Sequence, residues 1–93
     1  MRKYELMTIF PIEDDLYNEG LEKARAVLKD FGAEIESEES YGDRELTYEI
    51  KKRTHGRYLL LNIQVSPAKL VDIDHQFKLN NNLLKFMFVR KED

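Results

Sequence analysis

Residues 58–65 read YLLLNIQV, and this stretch decides the fold because its side chains alternate between two sets. A β-strand points successive side chains to opposite faces, so a period of two predicts a strand with one face in the core. The core set consists of Leu59, Leu61, Ile63 and Val65. The opposite set consists of Tyr58, Leu60, Asn62 and Gln64. Its two apolar members, Tyr58 and Leu60, predict apolar area exposed on the other face of the sheet.

The residues before this stretch begin with a strand and a helix. Residues 2–10 are rich in strand-forming side chains, and Pro11 ends the run. A helix follows, with Asp14 or Asp15 as its predicted N-cap and Gly32 as the left-handed residue that ends it. Its apolar residues recur at helical spacing and are Leu21, Ala24, Leu28 and Phe31.

The remaining segments predict a hairpin, a second helix and a last strand. Ile35–Ile50 has the pattern of a long polar strand, which Lys51–Arg57 (KKRTHGR) joins to the next strand as a hairpin loop. Ser66–Pro67 opens a helix because serine is a common N-cap and proline suits the first helical position. Asn80–Asn82 ends this helix, and Leu84–Val89 forms the last strand. The apolar stripe of the second helix is Leu70, Ile73 and Phe77.

The predicted order is therefore β-α-β-β-α-β in a single domain spanning residues 1–93. Crossover connections between strands of one sheet are right-handed, which leaves few arrangements for this order. The compact solution is a ferredoxin-like α+β fold, a four-stranded antiparallel sheet with both helices on one face. Because many unrelated functions use this fold, function has to be argued from particular residues.

Composition excludes several classes of protein. The chain contains no cysteine, so disulfides, thiolate metal sites and cysteine nucleophiles are ruled out. No segment approaches the roughly 20 apolar residues of a membrane-spanning helix, and the N-terminus lacks the pattern of a signal peptide. We therefore expect a cytoplasmic protein with no membrane partner.

The net charge of −3 hides an uneven distribution. Residues 13–49 hold 13 acidic and four basic residues, a balance of −9. Residues 50–93 hold nine basic and four acidic residues, a balance of +5. A basic side and an acidic side predict two different partners.

No constellation of side chains predicts catalysis. The two histidines, His55 and His75, are 20 residues apart and lack the spacing of metal ligands. The four glycines form neither a phosphate-binding loop nor a nucleophile elbow. We expect no enzyme activity, no catalytic residues, no metal, no cofactor and no small-molecule substrate.

Basic residues give the strongest functional pattern. The RNA-recognition module that shares this topology stacks bases on aromatic side chains of its third strand, but Arg57, Leu59 and Asn62 occupy those positions here. Solvated surface charge is the ordinary account of such residues, and phosphate contacts by the charged side chains are the functional one. The candidate RNA-binding residues are Arg2, Lys3, Lys51, Lys52, Arg53 and Arg90.

Five segments of the chain stand out when they are read in order. They are Met1–Glu5 (MRKYE), Phe31–Ile35 (FGAEI), Gly42–Lys51 (GDRELTYEIK), Gly56–Tyr58 (GRY) and Leu83–Arg90 (LLKFMFVR). Together they resemble the bacterial small-subunit ribosomal protein S6 family. Each segment is short, but the five are spread over essentially the whole chain in a fixed order and spacing. The strongest is Gly42–Lys51, which is similar to the family pattern Gly-x-Arg-x-Leu-Ala-Tyr-Pro-Ile.

This resemblance implies a structural constituent of the ribosome that binds 16S rRNA in the central domain of the small subunit together with ribosomal protein S18. Aromatic residues and arginine are common at the centres of protein interfaces. We therefore expect a protein-partner surface on the outward face and second strand, formed by Arg44, Leu46, Tyr48, Tyr58 and Leu60.

Two other functions stay open on sequence grounds. The first is a small-molecule-binding or regulatory ferredoxin-like module that acts as a homodimer. The second is a small enzyme of the acylphosphatase kind, which ranks last because residues 11–15 contain no arginine to hold a phosphate.

Overall fold

The strands and helices follow one another in the order that the sequence predicts. In this computed structural model, which describes residues 1–91, the elements are β1 (Arg2–Phe10), α1 (Asp14–Asp30), β2 (Glu34–Ile50), β3 (Arg53–Val65), a 3-10 turn (Pro67–Lys69), α2 (Leu70–Lys78) and β4 (Lys85–Arg90). None of the helices among these residues is long and apolar enough to cross a lipid bilayer.

The four strands form one antiparallel sheet in the order β2-β3-β1-β4. Residues of β1 pair with β3 from Arg2 opposite Val65 to Phe10 opposite Arg57. The other side of β1 pairs with β4, so β2 and β4 are the edge strands. The predicted ferredoxin-like α+β fold is confirmed.

The helices pack on one face of the sheet and bury the predicted core set there. Leu61 and Ile63 of β3 are fully buried, in one cluster with Leu28 of α1 and Ile73 and Phe77 of α2. The face of the sheet away from the helices, the outer face, carries the opposite residues of each strand. The prediction from the alternation of residues 58–65 is therefore confirmed for the core.

Both ends of α1 show how local sequence sets a helix boundary. The prediction of Asp14 or Asp15 as N-cap is wrong, because Glu13 holds that position and its side chain makes no capping bond. At the other end Gly32 has a φ of 78°, as predicted for the residue that ends the helix. Its N–H donates to the Lys29 carbonyl at 3.0 Å, and the next N–H, of Ala33, donates to Leu28 at 2.8 Å. This pair of bonds is a Schellman motif.

Gly20 lies inside α1, where glycine is unfavourable and the sequence pattern offers no reason for it. The structure supplies the reason, because the segment after α2 crosses the helix there. A Cβ at this position would overlap the backbone carbonyl oxygen of Asn82. The same close approach lets Asn80 Nδ2 donate to the Gly20 carbonyl at 3.0 Å. Glycine at position 20 is therefore needed for the contact between α1 and this segment.

The hairpin between β2 and β3 is tighter than predicted. The prediction of a loop over Lys51–Arg57 is wrong, because β3 already begins at Arg53 and only Lys51 and Lys52 lie between the strands. Their φ values are 49° and 63°, both in the left-handed region. Positive φ at both central residues is the mark of the two-residue turn that suits the twist of a hairpin.

The strand β2 is irregular near this turn. Glu45 pairs with His55 and Ile50 with Arg53, so β2 advances by five residues over a stretch in which β3 advances by two. The extra residues form an irregular bulge, and a bulge bends a strand and redirects its side chains. The bulge brings Leu46 into contact with Ile9 of β1 and Leu84, in a second small apolar cluster.

Candidate functional site

The predicted RNA-binding residues form two groups at opposite ends of the sheet. Arg2, Lys3 and Arg90 lie where β1 begins and β4 ends, because Tyr4 pairs with Arg90. The turn residues and Arg53 lie beyond the other end of β1, where Phe10 pairs with Arg57. Eight steps of strand at about 3.4 Å each separate the two ends. Residues that sequence reasoning grouped by charge therefore form two separate basic surfaces.

The first basic surface is exposed. The side chains of Arg2, Lys3 and Arg90 are all accessible, and the Lys91 N–H donates to the Lys3 carbonyl at 3.0 Å. The Lys3 ammonium is 4.0 Å from a Glu36 oxygen, a loose pair between exposed side chains that contributes little to stability. This end can accordingly contact a polyanion without first losing a strong internal bond.

The second basic surface is reduced by an internal ion pair. Arg53 Nη1 donates to both carboxylate oxygens of Glu13, at 2.7 and 2.9 Å. The hydrogen bond to Arg53 lowers the pKa of Glu13, which keeps this carboxylate charged. Lys51 and Lys52 are exposed and have no ion pair among residues 1–91. The structure thus sets Arg53 apart from the two lysines with which the sequence grouped it.

Arg57 is also bound within the protein. Its guanidinium donates to Asp43 at 2.7 Å and to Asp14 at 2.9 Å, and lies 4.7 Å from the centre of the Tyr17 ring. These hydrogen bonds raise the pKa of Arg57, and the bond to Arg57 lowers the pKa of Asp43. Arg57 therefore ties β2 and β3 to the start of α1.

The predicted protein-partner residues lie on the outer face, but two of them are covered. Leu60 is 5% exposed and Leu46 is 8% exposed, so the expectation that Leu60 adds exposed apolar area is wrong. Leu60 lies on an interior strand, between Met7 and Glu39 of its neighbours. Leu46 is buried against Ile9 by the bulge of β2. An alternation of two assigns a residue to a face and does not determine what covers it.

Other residues supply the exposed apolar area of the outer face. Tyr48 is 59% exposed, Met87 is 56% exposed and Val89 is also exposed. Met87 and Val89 are not among the residues predicted for the outer face. The alternation in KFMFVR nevertheless places them on the face opposite to that of Phe86 and Phe88.

An apolar groove of about 190 Å³ runs beside these residues on the outer face. Its lining includes Met7, Ile9, Tyr58 and Met87. At one end Lys85 Nζ donates to the Tyr48 hydroxyl at 2.7 Å and lies 5.2 Å from the centre of its ring. This hydrogen bond raises the pKa of Lys85. The pair links β2, next to the hairpin turn, to β4.

Arg44 borders this face on the edge strand β2. Its Nε donates to the Tyr41 carbonyl at 3.0 Å, and its guanidinium lies 6.0 Å from the centre of the Tyr41 ring. Both side chains are exposed. Arg44 can therefore contact a partner that covers the outer face.

The histidines do not form a site. His55 lies on β3, where its Nδ1 is 3.0 Å from the Thr54 hydroxyl, and His75 lies on α2. Among residues 1–91, no three His, Asp or Glu side chains are grouped to hold a metal ion. The described residues therefore present two basic ends and an outer face that is apolar only in part.

A family model and the curated relatives identify one family. Residues 3–90 match the family described as Ribosomal protein S6. A small ribosomal subunit protein bS6 from Treponema denticola is 55% identical over 93 residues, covering 100% of both chains. The bS6 protein of Halalkalibacterium halodurans is 36% identical over 95 residues, again covering 100% of both.

A solved structure shows the same fold. The crystal structure of 30S ribosomal protein S6 from Thermotoga maritima matches with a TM-score of 0.84 at 20% identity. The match covers 97% of this chain and 87% of that one.

Proposed function

We propose, from the premise that this chain belongs to the ribosomal protein S6 family, that it binds 16S rRNA in the central domain of the small subunit together with ribosomal protein S18. Members of this family are structural constituents of the small ribosomal subunit and not enzymes, which places the chain on the ribosome in the cytoplasm.

The observation that carries the proposal is the outer face of the sheet. The helices cover one face, whereas no layer of residues 1–91 covers Tyr48, Met87 and Val89 on the other. Apolar patches that stay exposed on a folded domain commonly mark a protein interface. We assign this face to S18, with Tyr58 at the groove and Arg44 at its edge.

RNA binding is assigned to the two basic surfaces. Lys51 and Lys52 extend from the hairpin turn, and Arg2, Lys3 and Arg90 surround the opposite end. Phosphate contacts of this kind position a protein on RNA without reading its sequence. The balance of −9 over residues 13–49 opposes the same RNA, so a basic partner is needed for tight binding.

A titration of labelled central-domain rRNA tests this dependence. The chain alone, and the chain with S18, are titrated at two salt concentrations. We expect weak, unselective binding by the chain alone and a steep gain in affinity with S18. The salt dependence of binding should also become steeper, by about 0.7–0.9 in the slope of log K against log salt for each added phosphate contact. Tight and sequence-selective binding by the chain alone would refute the proposal. A stable self-dimer that retains a small molecule would favour the regulatory module instead.

A further inference from the structure

An amide oxygen on the outer face lacks a hydrogen-bond donor. Asn62 is 9% exposed, and its Nδ2 donates to Ser37 Oγ at 2.9 Å and to Glu39 Oε2 at 3.1 Å. Its Oδ1 is buried and has no partner among residues 1–91. Buried polar atoms in folded proteins are nearly always hydrogen-bonded, so an exception needs an explanation.

The orientation of this amide follows from its neighbours on β2. A carboxylate only accepts hydrogen bonds, so the NH2 group must face Glu39. The oxygen on the same planar group therefore faces away from Ser37 and Glu39. The residue of β1 directly opposite Asn62 is Glu5. Cross-strand neighbours on one face have Cβ atoms about 4.5–5.5 Å apart.

Glu5 adds a second set of acceptors to this place. It is half-buried, and its side chain makes no ion pair or hydrogen bond within the described part of the chain. The nearest base along β1, Lys3, has its ammonium 4.0 Å from Glu36. The acceptor cluster, defined as Asn62 Oδ1 and the carboxylates of Glu5 and Glu39, thus gathers two negative charges and an unbonded oxygen.

We propose that the acceptor cluster receives an arginine side chain of the protein partner. The inference rests on the proposed function, because the cluster lies on the face assigned to S18. A guanidinium carries five N–H donors in a planar fork, so one side chain can reach a carboxylate and an amide oxygen together. A lysine ammonium is a point charge that does not match this planar spread. An RNA phosphate is excluded as occupant by the two carboxylates, which repel it.

The surroundings of the cluster fit this occupant. Met7 and Val89, which flank Glu5 on the outer face, lead from the cluster to the apolar groove. The partner element would therefore present apolar side chains beside its arginine. Asn62 Oδ1 is hidden from water in the free protein, so a donor that reaches it takes no water hydrogen bond from it.

The test compares two charge-removing variants of equal size. Glu5→Gln removes a charge from the cluster, and Glu22→Gln removes one from the exposed surface of α1, on the helix side of the sheet. Affinity for purified S18 is measured by calorimetry, with folding checked by urea denaturation. We expect the Kd to rise about tenfold or more for Glu5→Gln, as for loss of a hydrogen bond to a charged group, and less than about twofold for Glu22→Gln.

The partner side is tested by replacing each S18 arginine with lysine. One replacement should weaken wild-type binding and cause no further loss with Glu5→Gln, which is the signature of a direct pair. If wild type binds S18 but Glu5→Gln and Glu22→Gln bind equally well, the arginine inference is wrong and the proposed function stands. The inference also fails if no S18 arginine is coupled to Glu5. If wild type fails to bind S18, the proposed function itself is wrong.

Discussion

Replacing Gly20 with alanine should destabilise the protein, although helix propensity predicts the opposite. In an open helix the change stabilises by up to about 1 kcal/mol. Here the new Cβ would overlap the Asn82 carbonyl oxygen, and backbone is not free to move aside as a long side chain is. Overpacking of this kind costs about 1–3 kcal/mol. Displacing the segment also strains the bond from Asn80 to the Gly20 carbonyl, a further loss of about 1 kcal/mol.

The net expectation for Gly20→Ala is a loss of about 1–3 kcal/mol in the free energy of unfolding, the propensity gain having been subtracted. Urea denaturation at fixed pH measures it, and the midpoint of thermal unfolding should fall by about 4–8 °C per kcal/mol for a domain of this size. Asn18→Ala is the matched control, because Asn18 is exposed on the same helix. It should be neutral or slightly stabilising. A stability gain in Gly20→Ala equal to that of the control would refute the assigned contact.

Three further predictions concern the core, an ion pair and the turn. Leu61→Ala should lower the free energy of unfolding by about 2–5 kcal/mol, and a change below about 0.5 kcal/mol would contradict its burial. The pKa of Glu13 is lower in the folded protein than its ordinary 4.5, so the pair with Arg53 stabilises above that pH, and the contribution is lost as pH falls through the folded pKa. Arg53→Gln should therefore flatten the acid side of a plot of unfolding free energy against pH. An unchanged curve would show that the pair does not contribute to stability. Lys51→Asn with Lys52→Gly should stabilise by about 1–2 kcal/mol, because both positions have positive φ, while weakening rRNA binding in the S18 complex. A variant that is more stable and binds RNA as well as wild type would show that the two turn lysines make no important RNA contact.

The basic residues near the hairpin fall into two groups, those held in internal ion pairs and those exposed to solvent. Arg53 and Arg57 contact acidic side chains near the start of α1, whereas Lys51 and Lys52 extend from the hairpin without such pairs among residues 1–91. The basic residues that hold the hairpin to the helix are thus different from those left exposed on its turn. This separation lets a net acidic chain carry exposed basic surfaces at its two ends.

Local sequence patterns determined the elements of the fold and the core. Alternation over residues 58–65 placed Leu61 and Ile63 inside, and the helical spacing of Leu21 and Leu28 placed them against that strand. Gly32 ended α1 where predicted, because a left-handed residue is needed there. Such features depend on neighbours a few residues apart, whose spacing repeats at the period of a strand or a helix. The family resemblance likewise lies in short segments in a fixed order, which the sequence displays directly.

The tertiary structure alone decided which of these residues are available for binding. The bulge in β2 buried Leu46 against Ile9, and the central position of β3 covered Leu60, although both had been placed on the open face. The antiparallel register sent the basic residues to opposite ends of the sheet. The same register set Asn62 opposite Glu5, residues 57 positions apart in the chain. Periodicity assigns a side chain to a face, but its neighbours across the sheet are fixed by strand order and register, which long-range packing determines.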